Sequence, residues 1–217
     1  MSGDADARTD LYVLRHAESV GNATGDYDTS QSGELSERGR EQARDLVDAL
    51  AGFEFDRVVT SPYVRARETV LPYLRETGRV AEVWPELAEG CHHPEHDGSP
   101  VETVRYGDPV DLPDADARHL EVVTDAHDAR YPPADETYAE GLARVREAQA
   151  RLLRDCAGES ALVACHGHAG SRVVELTLGV EPRGRFHGDN AGMTHVAVEG
   201  ESVRLSYFDR LLTEPFP

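Results

Sequence analysis

The spacing of apolar and polar residues predicts alternating strands and helices over the first ninety positions of this chain. Three short stretches are typical of buried strands: 11–14, 56–60 and 80–84. Apolar residues at helical spacing predict one helix from Ser36, its N-cap, to about Ala51. A second helix is predicted to open at Ser61 and Pro62, with Ser61 as the cap, and to kink or end at Pro72. Strands and helices in this order indicate a parallel sheet with helices on both faces.

The regular spacing of apolar and polar residues is absent between Glu89 and Asp135, where proline, histidine and aspartate are frequent. A loop of that length without local structure is uncommon inside a compact domain. We therefore expect a lid-like insertion at about 91–135, with a hairpin formed by 103–110 and 120–124.

Regular patterning returns after the insertion. It predicts a helix from about Glu136 to Asp155, a fully buried strand over Ser160–Cys165, and a helix to Leu178 with Gly179 as its C-cap. Two alternating runs, 194–198 and 203–208, predict a hairpin on an edge of the sheet. The predicted fold is a three-layer α/β/α sandwich with a mostly parallel central sheet and an antiparallel C-terminal edge hairpin, formed by one domain over residues 1–217.

The composition of the chain argues against some classes of partner and location. Among 217 residues, Asp and Glu number 41 and Lys and Arg 22, which gives a formal charge of −19, and every strong base is arginine. This balance argues against nucleic acid as a partner, and no apolar stretch has the length of a membrane span. The acidic excess is typical of a protein adapted to high salt, or of a GC-rich genome. Three cysteines without framework spacing, and an acidic leader at 1–7 that does not resemble a signal peptide, favour the cytoplasm.

Chemistry-bearing residues follow several of the predicted strands. Arg15 and His16 end the first strand, His166 ends the strand at 160–165, Arg65 lies on the helix after the second strand, and Glu89 lies past the third. The carboxyl ends of parallel strands meet at one edge of a sheet, so these side chains should converge there. Arginine forks bind phosphate oxygens, a neutral imidazole can attack phosphorus, and a carboxylic acid can protonate a leaving oxygen. Positive side chains can neutralise the developing charge without a metal ion or another cofactor.

The same segments resemble those of the histidine phosphatase superfamily, which includes the cofactor-dependent phosphoglycerate mutases. The matching motifs are Arg15-His16-Ala17-Glu18-Ser19 with Asn22, Leu35-Ser36-Glu37-Arg38-Gly39 with Gln42-Ala43, Thr60-Ser61-Pro62-Tyr63-Val64-Arg65-Ala66, Leu87-Ala88-Glu89-Gly90, and Cys165-His166-Gly167. Ala17 stands where the family usually has glycine. The resemblance covers nearly the whole chain outside the insertion and implies a phosphoglycerate mutase-like fold.

The resemblance implies a two-step phosphoryl transfer on a small phosphomonoester. His16 would attack and become phosphohistidine, and Glu89 would protonate the leaving alcohol and then activate water. The phosphoryl oxygens would be held by further residues of the motifs: Arg15, Asn22, Arg65, His166, Gly167 and His168. Arg172 does not stand at the position of the family's further arginine and is not assigned to the site.

Several alternatives stay open at this stage. The basic segment that follows the proton donor in phosphoglycerate mutases is Gly90-Cys91-His92-His93-Pro94 here, which favours a phosphatase over a mutase, and a non-catalytic phosphate-binding relative is a third reading. Cys91, His92, His93 and His96 could bind a structural metal ion, although their spacing fits no common zinc module. The alternatives to Glu89 as acid are Glu82, Glu86 and Glu102. His187 and Asn190 could close the pocket, and the edge hairpin could pair across a homodimer.

Overall fold

The computed structural model describes residues 7–27, 31–90, 107–125, 129–133 and 135–212. Its seven strands are β1 (Thr9–Arg15), β2 (Arg57–Thr60), β3 (Ala81–Val83), β4 (Leu120–Val122), β5 (Ser160–Cys165), β6 (Gly192–Glu199) and β7 (Ser202–Leu211). Its five α-helices are α1 (Val20–Thr24), α2 (Glu37–Leu50), α3 (Val64–Thr77), α4 (Tyr138–Asp155) and α5 (Gly167–Thr177), and a short 3₁₀ turn covers Pro85–Leu87. None of the helices in these ranges is long and apolar enough to cross a membrane.

The strands form one sheet in the order β4-β3-β2-β5-β1-β6-β7. The first five of these are parallel, and β6 and β7 run antiparallel at one edge. β1 and β5 are neighbours, with Arg15 opposite Cys165. The residues that follow these two strands, His16 and His166, therefore leave the sheet side by side.

Alternate residues of β5 pack into two cores, one on each face of the sheet. Val163 joins a cluster with Val145 and Leu152 of α4 and with Val173 of α5. Leu162 joins the opposite cluster, which is built from residues of α2 and α3: Leu46, Leu50, Val70 and Leu74. A strand covered on both faces is apolar at every position, because successive side chains point to opposite sides. The predicted three-layer, mostly parallel architecture with an antiparallel edge hairpin is confirmed.

The start of α3 differs from the prediction. The helix begins at Val64 with Tyr63 as its N-cap, so Ser61 and Pro62 precede it. The Ser61 hydroxyl is used elsewhere, since it accepts the Tyr63 amide (3.3 Å) and contacts His166. Pro72 neither ends nor interrupts the helix, which continues to Thr77. Buried neighbours on both sides of Pro72 hold this stretch against the sheet, and such packing can outweigh the loss of one helical hydrogen bond.

The predicted hairpin in the insertion is wrong in the part that the structure describes. Residues 120–122 form β4, which adds to the edge of the main sheet parallel to β3. The end of the 103–110 run pairs instead with 129–132: Val110 donates to the Ala129 carbonyl at 2.8 Å, and Pro109 and Arg130 form an antiparallel bridge. Leu120 is buried in the α2/α3 core, and this burial explains why the segment pairs with β3. Residues 91–106, with the Cys91, His92, His93 and His96 cluster and Glu102, lie outside the described residues.

Candidate active site

His16 and His166 lie next to each other at the carboxyl edge of the sheet. Their ring centroids are 5.3 Å apart, and both side chains are buried. The His16 amide donates to the Cys165 carbonyl at 2.9 Å, which continues the β1–β5 ladder by one residue. The sheet therefore fixes the backbone from which the His16 imidazole projects.

The hydrogen bonds of His16 define its tautomer. Arg65 Nε donates to His16 Nε2 at 3.1 Å, and a guanidinium can only donate, so Nε2 carries a lone pair. The proton is therefore on Nδ1, which donates to the Ala17 carbonyl at 2.7 Å. Burial, and then the positive charge of Arg65, hold the pKa of His16 well below its usual value. His16 is a neutral imidazole whose Nε2 lone pair faces a cation.

Ala17 occupies the family's usual glycine position without strain. Among the described non-glycine residues, only Ala191 and Asp209 have a positive φ, so the backbone at Ala17 suits an L-residue. Its amide donates to Thr69 Oγ1 (2.9 Å), and this hydroxyl donates to the Arg65 carbonyl (2.6 Å). Thr69 thus ties the loop after β1 to the helix that carries Arg65.

His166 is held by Ser61 and by an aromatic pair. Its Nε2 lies 2.7 Å from Ser61 Oγ, while its Nδ1 is buried without a hydrogen-bond partner among the described residues. Burial, followed by the charge of Arg65, lowers the pKa of His166 well below its usual value. The edge of the Tyr63 ring lies against His166, with centroids 5.2 Å apart, and Tyr131 of the insertion stacks on Tyr63 at 5.5 Å.

Arg15 lies on the side of the site formed by the loop before β6. Its Nη1 donates to the Gly188 carbonyl (2.5 Å) and lies 3.4 Å from His187 Nε2. The Asn190 side chain donates to the His16 carbonyl (3.0 Å) and to Asn22 Oδ1 (3.1 Å). His187 and Asn190 are therefore both part of this site.

Asn22 is nearby, but its side chain is engaged in local structure. With the N-cap Ser19 it forms a capping box at the start of α1, a helix that the sequence analysis did not predict. Its Nδ2 donates to the Tyr27 hydroxyl at 3.2 Å.

Glu89 lies at the N-terminus of α5. Its Oε1 accepts the amides of Ala169 (3.0 Å) and Gly90 (3.2 Å), and its Oε2 accepts the amide of His168 (3.3 Å). The same Oε2 lies 3.8 Å from His168 Nδ1. Of the alternative acids, Glu82 binds Arg57 and the Trp84 indole, and Glu86 binds Thr124 and pairs with Arg151. The structure brings Glu89, rather than these neighbours, to the edge that carries His166.

Gly167 and His168 begin α5 and complete the wall of the site. A Cβ on Gly167 would lie 2.5 Å from His187 Cε1, so glycine is required for the close approach of that ring. The rings of His168 and His187 are 5.3 Å apart. Arg172 lies further along α5, buried beside Glu175 and Tyr138.

Sequence reasoning missed several supports of this site. The pattern around Ser61 predicts a helix cap, and no local pattern marks Thr69 or Tyr131, because their roles depend on contacts with residues far away in sequence. The assembled group of two arginines, two neutral imidazoles and one carboxylate suits a phosphate dianion with a leaving group that needs a proton. No group of three or more potential metal ligands occurs within the part of the chain that the structure describes.

Comparison with known proteins identifies relatives of this chain. The model of the histidine phosphatase superfamily (branch 1) matches residues 11–209. A protein of Hydrogenobacter thermophilus named "Putative phosphoserine phosphatase 2" is 28% identical over 212 residues, covering 93% of this chain and 95% of that protein. The crystal structure of the alpha-ribazole phosphatase from Shigella flexneri is similar with a TM-score of 0.68 and 22% identity, covering 93% of this chain and 96% of that one. The mycobacterial glucosyl-3-phosphoglycerate phosphatase has a TM-score of 0.63 and 22% identity, covering 93% and 98%.

Proposed function

The chain belongs to the histidine phosphatase superfamily, and from this premise we propose that it hydrolyses small phosphomonoesters through a phosphohistidine on His16, without a metal ion or other cofactor. The observation that carries the proposal is the 3.1 Å hydrogen bond from Arg65 Nε to His16 Nε2. It leaves the nucleophilic lone pair on the atom that lies beside a phosphate-binding cation.

In the first step, His16 Nε2 attacks phosphorus and the bond from phosphorus to the ester oxygen breaks. Because burial holds the pKa of His16 low, the nucleophile is unprotonated across the neutral range. The Nδ1–H bond to the Ala17 carbonyl stabilises the positive charge that the ring acquires as the N–P bond forms. In the second step, water attacks phosphorus, the N–P bond breaks and inorganic phosphate leaves.

The phosphoryl oxygens are held by Arg15, Arg65 and His166 in this proposal. The Nδ1 of His166, which has no hydrogen-bond partner within the part of the chain that the structure describes, is a buried polar atom of the site. Asn22, Gly167 and His168 line the site further out, and Asn22 would have to exchange its Tyr27 contact for a phosphoryl oxygen. Preorganised cations of this kind replace the metal ion of other phosphoryl-transfer sites.

Glu89 delivers the proton to the leaving oxygen and removes one from the attacking water. Substrate selection belongs to the insertion at about 91–135 in this proposal. Support comes from Tyr131, which stacks on Tyr63 and donates to the Pro62 carbonyl (3.1 Å), so the insertion is anchored directly beside His166. Phosphoserine and alpha-ribazole phosphate, from the names of similar proteins, are the first members of a substrate panel.

The test uses purified wild-type protein and His16→Ala with 4-nitrophenyl phosphate in molar salt and chelator. We expect the wild type alone to release phosphate, vanadate to inhibit it, and acid-labile phosphate to be trapped on the wild type. Strict dependence on added metal would overturn the mechanism. Isomerisation of a phosphoglycerate with a bisphosphorylated primer, without phosphate release, would indicate a mutase, and inactivity in both assays a binding protein.

A further inference from the structure

The carboxylate proposed as the acid is held in a way that favours its ionised form. Three backbone amides donate to Glu89, two of them from the first turn of α5. Amide donors and a helix N-terminus both stabilise a negative charge. An ionised carboxylate can accept a proton, but it has none of its own to give to a leaving oxygen.

His168 contacts one oxygen of this carboxylate through both its backbone and its ring. Glu89 Oε2 accepts the His168 amide at 3.3 Å and lies 3.8 Å from His168 Nδ1. The imidazole is about a third exposed, with 36% of its side chain accessible. It can therefore exchange protons with solvent while it contacts a carboxylate inside the site.

The charged and titratable groups around His168 come from four elements. Glu89 approaches from the segment after β3, Arg15 from the end of β1, His187 from the loop before β6, and Arg172 from α5 itself. The Glu89 carboxylate has the largest influence and raises the pKa of His168, while burial, Arg172 and Arg15 lower it. The neighbouring His187, which lies near Arg15 and has no contact with Glu89 among those described, has its pKa lowered, first by burial.

We propose that the acid of the reaction is the pair His168–Glu89, in which His168 stores the proton that Glu89 passes to the leaving oxygen. This inference rests on the proposed phosphatase function. As the bond from phosphorus to the ester oxygen breaks, the Nδ1 proton of His168 moves to Glu89 Oε2 and from there to the leaving oxygen, which leaves Glu89 ionised and His168 neutral. When water attacks the phosphohistidine, its proton returns to Glu89 and then to His168. Each turnover thus leaves the pair in its starting state.

The pair can be tested by the dependence of the rate on the leaving group. Phenyl phosphate requires a proton on its leaving oxygen, whereas 4-nitrophenyl phosphate departs readily as the anion. For His168→Gln we expect kcat/KM on phenyl phosphate to fall about 100-fold, as for loss of general acid catalysis, but about threefold or less on 4-nitrophenyl phosphate. The fall of wild-type kcat/KM on phenyl phosphate at alkaline pH should also disappear in this variant.

His187→Gln is the matched control, because it removes an imidazole one ring away without touching Glu89. It should change kcat/KM for both esters by the same factor. An equal loss on both esters in His168→Gln would mean that His168 acts as a phosphate ligand or a packing residue, and no loss on either would mean that Glu89 works alone. Both results would overturn the pair. Failure of the wild type to hydrolyse either ester would instead overturn the proposed function.

Discussion

The α-carbon of Gly39 in α2 lies so close to Glu18 that a methyl group at position 39 would overlap the Glu18 carbonyl oxygen. Around this contact, Ser36 donates to the Glu18 carboxylate (2.7 Å) and the Gln42 side chain accepts the Glu18 amide (2.9 Å). The first turns of α2 therefore hold the loop after β1, which carries His16, in place. These contacts give Ser36, Gly39 and Gln42 of the second motif a common role, which is to hold this loop.

Gly39→Ala should destabilise the protein and lower its activity, because the loop after β1 must shift to admit the methyl group. Overpacking of this kind costs about 1–3 kcal/mol of unfolding free energy, measurable by urea denaturation. Gly52→Ala is the control, since a Cβ there meets nothing within 4 Å. Equal stability of the two variants would contradict the close contact between Gly39 and the loop after β1.

Arg65→Lys should lower kcat by about 100-fold, the scale of losing one preorganised donor. Lysine keeps the charge but cannot present the fixed Nε fork to His16 and phosphate together. Steady-state kinetics measures the effect. Arg75→Lys, on the same helix with its exposed guanidinium paired with Asp116, should have wild-type kinetics. A fully active Arg65→Lys would mean that charge alone is sufficient.

Glu175→Gln should destabilise the protein and disturb the loop that leads to His187. The buried Glu175 carboxylate accepts the amides of Arg183, Gly184 and Arg185, at 2.9 Å each, and pairs with the Arg185 side chain. A carboxamide can accept at only one end, so at least one of these donors loses its charged acceptor, at about 1–3 kcal/mol. Urea unfolding checks this, with Glu181→Gln on the exposed surface as the control.

Acid should destabilise the fold partly through His166. Burial lowers the pKa of His166 in the folded state, so below its ordinary value the unfolded chain binds a proton that the native state refuses. The stability that the neutral His166 imidazole contributes is fully present above about pH 6.5. Acidification below this pH lowers the free energy of unfolding by up to about 1.4 kcal/mol per pH unit. His166→Gln should show a shallower decline of unfolding free energy between about pH 7 and pH 5. The raised pKa of His168 acts in the opposite direction in both the wild type and the variant, so it cancels when the two are compared. Parallel curves of unfolding free energy against pH for the two proteins would refute this role of His166.

Salt should stabilise this protein. A formal charge of −19 produces self-repulsion that is screened over about 3 Å in molar salt, compared with about 10 Å at 0.1 M. We expect Tm to rise steadily with NaCl concentration in thermal scans. Neutralising three exposed acids of α2, by Glu41→Gln, Asp45→Asn and Asp48→Asn, should raise Tm in low salt and reduce this dependence. A Tm that is flat or falls with salt would argue against salt adaptation.

The elements predicted most accurately are those whose pattern of apolar and polar residues fits only one kind of secondary structure. β5 is apolar at every position and is buried on both faces, and its predicted bounds are those observed. α2 carries its own cap at Ser36 and a clear apolar stripe. The convergence of His16 and His166 follows from parallel strands alone, so it too could be predicted before any coordinates.

What could not be predicted depends on partners far away in sequence. Ser61 looks like a helix cap until His166, 105 residues later, is placed against its hydroxyl. The short run at 120–122 fits either a hairpin or a sheet edge, and burial of Leu120 decides between them. The amide environment of Glu89 arises from α5, which no local pattern around Glu89 reveals.

The position of β1 in the sheet also has a consequence for synthesis of the chain on the ribosome. β1 emerges first, yet both of its neighbours, β5 and β6, come from residues after 159. Until these have left the exit tunnel, an apolar strand has no partner on either side, and such pairing over long sequence distances is intrinsically slow. His16 therefore acquires His166 as its neighbour only after β5 has been synthesised and has paired with β1.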